Sequence, residues 1–540
     1  MFAPLPSPAE MSGWDRAAID LGLPELLLME NASREALHVL SAETGQMPGK
    51  RVLLFMGGGN NGGDAACLAR HLHDGGAEVL VLHTRPLGAY RGVTGQHVRL
   101  ARRCGVAFAP AAGWPEKYRN TPWDVYADAS VCERGGPDIV VDGILGTGFS
   151  GSLRPLELGL VARINALAQR AFIFSLDIPS GLSGLTGRPC PVAVRAHATV
   201  TFEAAKPGLV LPEAAPYTGR LHIRPIGIPA VARREHPASY QMITKAIAGA
   251  FPEAAPGWHK GTAGAILIVG GSEGLTGAPH LAARAALRAG GGLISVTAPH
   301  GLCRDIKADC PDIMTRALGP AGNVRWSPAL LEELLPFLRQ CGAMVLGIGR
   351  EPETAAFVQA LLMCPSRPSA VVDADALHAL AMHPEALSSL RACDVLTPHP
   401  GEAATLLHTT PALVQADRFA ALAGLRRLAP SVWILKGAGT LIGTEGQPVT
   451  IAPYAEPNLA VGGSGDVLSG CLGTLMAQTA AHPSEGCESS SFLAACMGVH
   501  LHARAGRLLR EAFPQRGNSA TDIAEMLPQA RSREAAGDGA

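Results

Sequence analysis

Three times in the N-terminal part of the chain, a short apolar run ends in a glycine-rich or proline-glycine turn that carries an aspartate. Arg51–Met56 (RVLLFM) runs into Gly57-Gly58-Gly59-Asn60-Asn61-Gly62-Gly63-Asp64. Asp138–Val141 runs into Asp142-Gly143-Ile144-Leu145-Gly146-Thr147-Gly148-Phe149-Ser150-Gly151. Ala171–Leu176 (AFIFSL) runs into Asp177-Ile178-Pro179-Ser180-Gly181. A further run, Glu78–His83, and helix-period stretches at Asp64–His73 and Gly95–Arg103 lie between them. Apolar runs alternating with helical stretches read as a parallel sheet covered on both faces, and such sheets bind ligands outside the carboxyl ends of their strands. The three turns should therefore meet in one crevice. Their glycines let backbone N–H groups close on an anion, and a following helix adds favourable potential. Asn60 and Asn61 offer both donors and acceptors, while Asp64 reads either as a ligand-facing acid or as a helix cap.

The pattern recurs beyond a proline-rich seam at 229–256, which carries Pro229, Pro237, Pro252 and Pro256 and no sustained period. Strand candidates are Ala265–Gly270, Leu293–Ala298, Ala343–Leu346, Ala370–Asp373, Asp394–Leu396 and Val432–Leu435. Helical stretches are His280–Ala289, Ala374–Ala381 and Gly401–Leu407. The fold class is thus α/β, as two layered α/β/α domains at 1–228 and 257–530 joined by a linker at 229–256. A disordered tail is expected at 531–540. Ala109–Pro137 reads as a polar excursion from the first sheet with no visible chemistry.

Lys plus Arg number 45 and Asp plus Glu 46, a net charge of −1, which argues against a nucleic-acid partner and supplies no polybasic arm for a membrane. Hydrophobic residues make up 47% of the chain and charged ones 17%, enough apolar material for closed cores. No apolar run reaches the roughly 18 residues of a spanning helix. The start, MFAPLPSPAEMSGWDR, lacks the basic-then-apolar order of a secretory signal. The twelve cysteines form no C-x-x-C pair and read as buried apolar residues of a reducing cytoplasm.

In the second block the most informative segment is Gly462-Gly463-Ser464-Gly465-Asp466-Val467-Leu468-Ser469-Gly470, entering the apolar stretch Val467–Met476. Amides at Gly463–Asp466 could surround a developing phosphoryl charge, and Asp466 could accept the proton of an attacking hydroxyl. Lys436 ends a strand where it can reach a phosphate, or is a mere exposed terminator. His399, held between Pro398 and Pro400, is a ligand or a structural histidine. Asp373 and Asp375 are both candidates for Mg²⁺ through water, and Asp375 equally for a helix cap.

The strings Asn60–Asp64, Asp142–Gly148 and Leu176–Gly181, with Leu28-Met29-Glu30-Asn31-Ala32, resemble the NAD(P)H-hydrate epimerase family over most of residues 10–228. The resemblance implies that Asn60, Asn61, Gly62, Gly63 and Asp64 hold the sugar-phosphate part of a hydrated coenzyme. Gly146, Thr147, Gly148, Phe149, Ser150, Gly151 and Ser152 would do the same. Asn61, Asp142 and Ser180 would hold potassium, with hard oxygens suited to a large monovalent cation. Asp177 would touch the damaged ring. There it is the acid/base candidate for inversion at C6, or only an orienting group.

The Gly462–Gly470 string resembles the signature of the ribokinase-like superfamily. Together with Gly257-Trp258-His259-Lys260-Gly261 and Thr397-Pro398-His399-Pro400-Gly401-Glu402, it is similar to the ADP/ATP-dependent NAD(P)H-hydrate dehydratase family, over nearly all of 255–525. That likeness implies hydrate contacts at Ala278, Gly349, His399 and Asp466. It implies nucleotide contacts at Lys436, Gly437, Ala438, Gly439, Thr440 and Gly465. ADP is the expected co-substrate and AMP the product, with Mg²⁺ neutralising phosphoryl charge. The partners implied are small molecules, NADHX, NADPHX and ADP, acting on a cytoplasmic homo-oligomer. The competing reading is a ribokinase-like vitamin or sugar kinase with an accessory N-terminal nucleotide-binding domain. The three Asp-bearing turns and the histidine of Thr397–Glu402 favour the first.

Overall fold

The structure is a computed structural model that describes all residues except 120, 125–135, 255, 349–351, 482–489 and 533–540. The chain divides into two compact units, Pro4–Gln241 and Met242–Ala540 with Met1–Ala3. Among the described residues, no helix is long and apolar enough to cross a membrane.

The N-terminal unit carries a seven-stranded sheet among the described residues. Its order is Ala107–Pro110, Glu78–His83, Arg51–Met56, Ile139–Gly143, Phe172–Leu176, Ala198–Phe202 and Arg220–Arg224. Every pairing is parallel. Alternation along each strand divides the core. Val52, Leu54 and Met56 join one buried cluster with the helices Pro8–Asp20, Glu25–Thr44 and Asn60–Asp74. Leu53 and Phe55 join the other, with Leu160, Val161 and Ile164. A buried side chain of this kind contributes about 1.5–3 kcal/mol, so a register slip that exchanged the faces would be costly. The chain builds outward from Arg51–Met56 to one edge and then returns to its other side at Ile139–Gly143. A crevice opens at this reversal.

The helix expected from Asp64 begins at Asn60, capped by the extended backbone of Gly59. The Asn-Asn-Gly-Gly segment therefore forms the first helical turn, and Asp64 is not a cap but a buried residue of the second turn. Contact distance explains the glycines. A Cβ on Gly57 would lie 1.7 Å from the Ile144 carbonyl oxygen, and one on Gly62 would lie 2.1 Å from the Gly57 oxygen. The second helix also begins earlier than expected, at Gly92. The stretch 109–137 is anchored at its start: Ala107–Pro110 pairs with the strand Glu78–His83, and Trp114 packs edge-on to Phe55 at 5.1 Å. Part of this stretch lies outside the described residues.

In the C-terminal unit six pairings are parallel, joining Met314–Leu318, Leu293–Pro299, Ala265–Gly270, Ala343–Gly347, Ser369–Val372, Val395–Leu396 and Val432–Leu435. The antiparallel strands Thr440–Gly443 and Val449–Ala452 follow. The sheet is eleven-stranded among the described residues, with Tyr240–Ile243 and Phe2–Pro4 at its end. The helix Ser464–Ala481 packs on Gly277–Arg288 so closely that a Cβ on Gly470 would lie 2.1 Å from the Ala282 oxygen. The stretch 229–256, expected to lack regular elements, contains the helix Ala230–Glu235, the strand Tyr240–Ile243 and a 3₁₀ turn at Lys245–Ala250. Helix Ala520–Arg531 reaches into the expected tail, most of which lies outside the described residues.

Gly57→Ala should destabilise the N-terminal unit by about 1–3 kcal/mol or more, because the clash is with backbone rather than a flexible side chain. A urea melt followed by fluorescence should show a lower midpoint, whereas Gly59→Ala, where a Cβ meets nothing within 4 Å, should not.

Candidate active sites

The crevice of the N-terminal unit is a cavity of about 480 Å³. Its lining includes Asn60, Asn61, Asp64, Gly146, Thr147, Gly148, Phe149 and Asp177, so the three turns do meet. Gly62 and Gly63 pack behind them: a Cβ on Gly63 would lie 2.6 Å from the Met29 side chain. Ser150, Gly151 and Ser152 are exposed and outside the lining.

Asn61, Asp142 and Ser180 gather around the backbone of Leu145. Asn61 donates through Nδ2 to the Leu145 oxygen at 2.7 Å and the Leu176 oxygen at 3.1 Å. Its Oδ1 is buried with no hydrogen-bond partner among the described residues. Leu145 N donates to Ser180 Oγ at 2.9 Å. Asp142 is fully buried and accepts from Ser180 Oγ, Ser180 N, Ser175 Oγ and Ile144 N. Burial pushes its carboxyl up, against the pull of these hydrogen bonds.

Asp177 sits at φ 60°, a left-handed conformation that few non-glycine residues adopt. There its Oδ1 accepts from Lys206 Nζ at 2.6 Å and Thr201 Oγ1 at 3.3 Å, and its Oδ2 accepts from Thr147 N at 3.1 Å. Lys206 is 1% exposed and also donates to Thr201 Oγ1 and the Phe202 oxygen. Sequence reasoning missed Lys206 because the strand before it, Ala198–Phe202 (ATVTF), is only half apolar. The alternation followed by Lys-Pro was the available signal. It also missed the first helix, which lines the cavity with Met11, Ser12, Asp15 and Ile19. Burial pushes Asp64 well above the ordinary carboxylate range, with Asp177 and Asp15 adding to the shift and Lys206 opposing it.

In the C-terminal unit, Asp373, Thr397 and Lys436 each follow directly on a strand end, and their backbones interlock. Asp373 N donates to the Leu346 oxygen, Thr397 N to the Val372 oxygen and Lys436 N to the Pro398 oxygen. Lys436 Nζ bonds Asp373 Oδ1 at 2.7 Å and lies 3.7 Å from Glu402 Oε2. Ser469 Oγ donates to the other Asp373 oxygen at 2.6 Å. Burial works against both charges of the Lys436–Asp373 pair, but each partner sustains the other: the lysine stays above its usual range and the aspartate below. Around this pair, burial and Asp373 push Asp466 up to about 6, with Lys436 opposing. Burial likewise pushes Glu402 up to about 7, with Asp373 adding and Lys436 opposing.

Asp466 lies in the first turn of Ser464–Ala481, among amides that have no intrahelical acceptor. A Cβ on Gly465 would lie 3.6 Å from Lys436 Nζ, so the glycine turn faces the ion pair. Ala278 begins the adjoining helix, whose Leu281 approaches Gly463. The Gly437–Thr440 turn is tied by Arg418, which donates to the oxygens of Ala438 at 2.6 Å and Leu435 at 3.2 Å. Arg418 has no sequence signal; it comes from the helix Arg418–Arg426. His399 caps its helix: its Nδ1 accepts from Gly401 N and Glu402 N, while Glu402 returns a bond to His399 N. Gly349 lies outside the described residues.

A glycine-rich turn at the switch point of one parallel sheet, and a helix-start aspartate near a lysine at the strand ends of another, are the features of a two-site nucleotide-metabolising α/β enzyme. The family descriptions "NAD(P)H-hydrate dehydratase" and "YjeF-related protein N-terminus" match residues 266–529 and 25–208. The chain is 37% identical to the bifunctional NAD(P)H-hydrate repair enzyme Nnr of Moorella thermoacetica, over 96% of this chain and 95% of that protein. It is 32% identical to the enzyme of the same name from Coxiella burnetii, over 94% and 95%. A solved ADP/ATP-dependent NAD(P)H-hydrate dehydratase from Bacillus subtilis is similar at 21% identity and TM-score 0.43, covering 53% of this chain and 96% of that one. The chain belongs to the bifunctional NAD(P)H-hydrate repair enzyme family.

Lys206→Met would leave Asp177 as a buried carboxylate without its cation. Removing one partner of such a pair typically costs about 3–5 kcal/mol, which denaturant unfolding of the full chain should register.

Proposed function

We propose that this chain repairs hydrated nicotinamide coenzymes at two separate sites. The N-terminal unit interconverts the R and S forms of NAD(P)H hydrate at C6. The C-terminal unit dehydrates the S form to NAD(P)H at the expense of ADP, with AMP and phosphate as products. The observation that carries this reading is Asp466 in the first turn of Ser464–Ala481, among the free amides of a helix start, with the Lys436–Asp373 pair at the adjoining strand ends. A kinase would use the same arrangement. The family match over both units favours repair.

Hydroxide is a poor leaving group, which is why a nucleotide is needed. Asp466 takes the proton of the C6 hydroxyl as its oxygen bonds to the terminal phosphorus of ADP and the bond to AMP breaks. Lys436 and the Gly437–Thr440 turn hold the phosphates, and the amides near Gly465 take up developing charge. The C6–O bond then breaks with the ring-nitrogen lone pair pushing, phosphate departs, and loss of the C5 proton restores the double bond. Ala278, Gly349 and His399 would orient the ring. The hard carboxylate oxygens of Asp373 and Glu402 suit Mg²⁺, which when bound would neutralise phosphoryl charge.

In the N-terminal unit, Asn60–Asp64 and the turn from Gly146 would grip the sugar-phosphate portion, with Asp177 against the ring. Potassium fits Asn61, Asp142 and Ser180, because the buried Asn61 Oδ1 has no hydrogen-bond partner among the described residues. The cation would brace the Asn61 and Leu145 segments that line the cavity. The ten free cysteines among the described residues suit a cytoplasmic setting.

Asp466→Asn should lower dehydration by about 10²–10⁴-fold or more while epimer interconversion persists. Reduced-nicotinamide absorbance follows the first activity and separation of the epimers the second; parallel loss of both would rule out independent sites. Because Asp466 must be deprotonated to act, kcat/KM for dehydration should fall as pH drops through about 6. The stability effect has the opposite sign. Asp466 and Glu402 are raised above their unfolded values, so they favour the fold at low pH, and that contribution is lost as pH rises through about 6 and about 7. Replacing potassium with a large organic cation should slow epimerisation and spare dehydration.

A further inference from the structure

Inversion at C6 needs a group that gives a proton, and Asp177 is poorly placed to be that group. Its carboxylate accepts from an ammonium, a hydroxyl and an amide, so both of its oxygens are already held by donors of the protein. It suits the positive ring that forms when hydroxide leaves. Four other carboxyls, Asp15, Glu25, Asp64 and Glu157, line the same cavity. Glu25 is exposed, and Glu157 accepts from the Arg154 amide at the start of its own helix, which leaves Asp15 and Asp64. Neither accepts a side-chain hydrogen bond from any described residue.

The two differ in access. Asp64 is 9% exposed, enclosed in the second turn of Asn60–Asp74. Asp15 is half-buried, on the helix face Met11, Ser12, Asp15 and Ile19 that lines the cavity. That helix is firmly seated. Trp14 is 1% exposed, and its Nε1 donates to the His236 oxygen at 2.6 Å. Ser7 and Glu10 form a capping box at its start. Asp15 is thus a carboxyl free of donors, carried on a fixed element and aimed into the cavity.

We infer that Asp15 is the proton-transferring residue of the N-terminal site, working with the Asp177–Lys206 pair that steadies the ring. This rests on the epimerase reading of that site. The Asp15 carboxyl gives its proton to the C6 hydroxyl. The C6–O bond breaks, water leaves, and the ring-nitrogen lone pair forms the N1=C6 bond. Water then adds to the opposite face of C6, its surplus proton passes to the Asp15 carboxylate directly or through a second water, and the π electrons return to nitrogen. One proton goes out and one returns, with no co-reactant but water. The electrostatics agree. Burial pushes Asp15 up to about 6, with Asp177, Glu25 and Glu203 adding and Lys206 opposing, so a protonated fraction persists near neutrality.

The test uses the full chain without nucleotide, pure S-hydrate as substrate and H₂¹⁸O as solvent. Wild type should invert C6 faster than the uncatalysed reaction and incorporate one solvent oxygen at each inversion. Asp15→Asn should lower kcat by about 100-fold or more, with KM changed only a few-fold and an unaltered melting temperature. Asp15→Glu should recover part of the rate. The decline of wild-type kcat/KM above about pH 6 should disappear in Asp15→Asn. The inference is overturned if Asp15→Asn stays within about threefold of wild type, or if the loss falls on KM alone. It is equally overturned if Asp64→Asn abolishes inversion while Asp15→Asn does not. Failure of wild type itself to invert the hydrate would instead remove the epimerase reading on which the inference stands.

Discussion

Each unit places a buried lysine–aspartate pair at the carboxyl ends of its parallel strands: Lys206 with Asp177, and Lys436 with Asp373. Such a pair is expensive to desolvate and adds little net stability. Its value is positional. Burial drives the remaining carboxyls nearby toward protonation, the paired aspartate adds to the shift, and the lysine, committed to that partner, only partly opposes it. Asp15 and Asp64 experience this in one unit, Asp466 and Glu402 in the other. In the C-terminal crevice Asp373 is thus held below its usual range while Asp466 and Glu402 rise to about 6 and about 7, and in the N-terminal crevice Asp15 rises to about 6.

The backbone makes this possible by bringing turns from distant parts of the chain within a few ångströms. In the N-terminal unit the approach is closest at Gly57 and Ile144, where no side chain could intervene. In the C-terminal unit the corresponding close contact is between Gly470 and Ala282, which seats the helix bearing Asp466 against its neighbour. Glycines near these sites thus serve two purposes. Some expose amides to an anion, and others permit the packing that aims those amides.

The two reactions fit together chemically. An enzyme that phosphorylates one C6 configuration leaves the other behind, and an inverting site returns that remainder to use. Only a proton and a water are exchanged in the inversion, so a cavity lined by carboxyls and open to solvent is sufficient. Phosphoryl transfer needs more: a nucleotide, a counter-charge and a helix start.

Most of the parallel strands, the glycine turns at their ends and the candidate positions Asn61, Asp142, Asp177, Lys436 and Asp466 were legible in the sequence, because each lies within a few residues of an apolar run whose period identifies it, whereas the order of the strands in each sheet was not. Where the helix Asn60–Asp74 begins was not legible, since Gly62 and Gly63 disguise a helical turn whose stability comes from packing. Thr440–Gly443 and Val449–Ala452 escaped notice because they are short and their hydrophobic pattern is brief. Lys206 carried only a faint signal, and Arg418 and Asp15 none, for a deeper reason. A lysine beside a proline, an arginine opening a helix and an aspartate on an amphipathic helix are ordinary surface patterns. Only the folding of their elements over the strand ends buries or aims them. Local period and turn chemistry thus determined the sheet and the chemistry at its edge, while the charge balance that gives each carboxyl its task was decided by which distant side chains the tertiary structure packs against it.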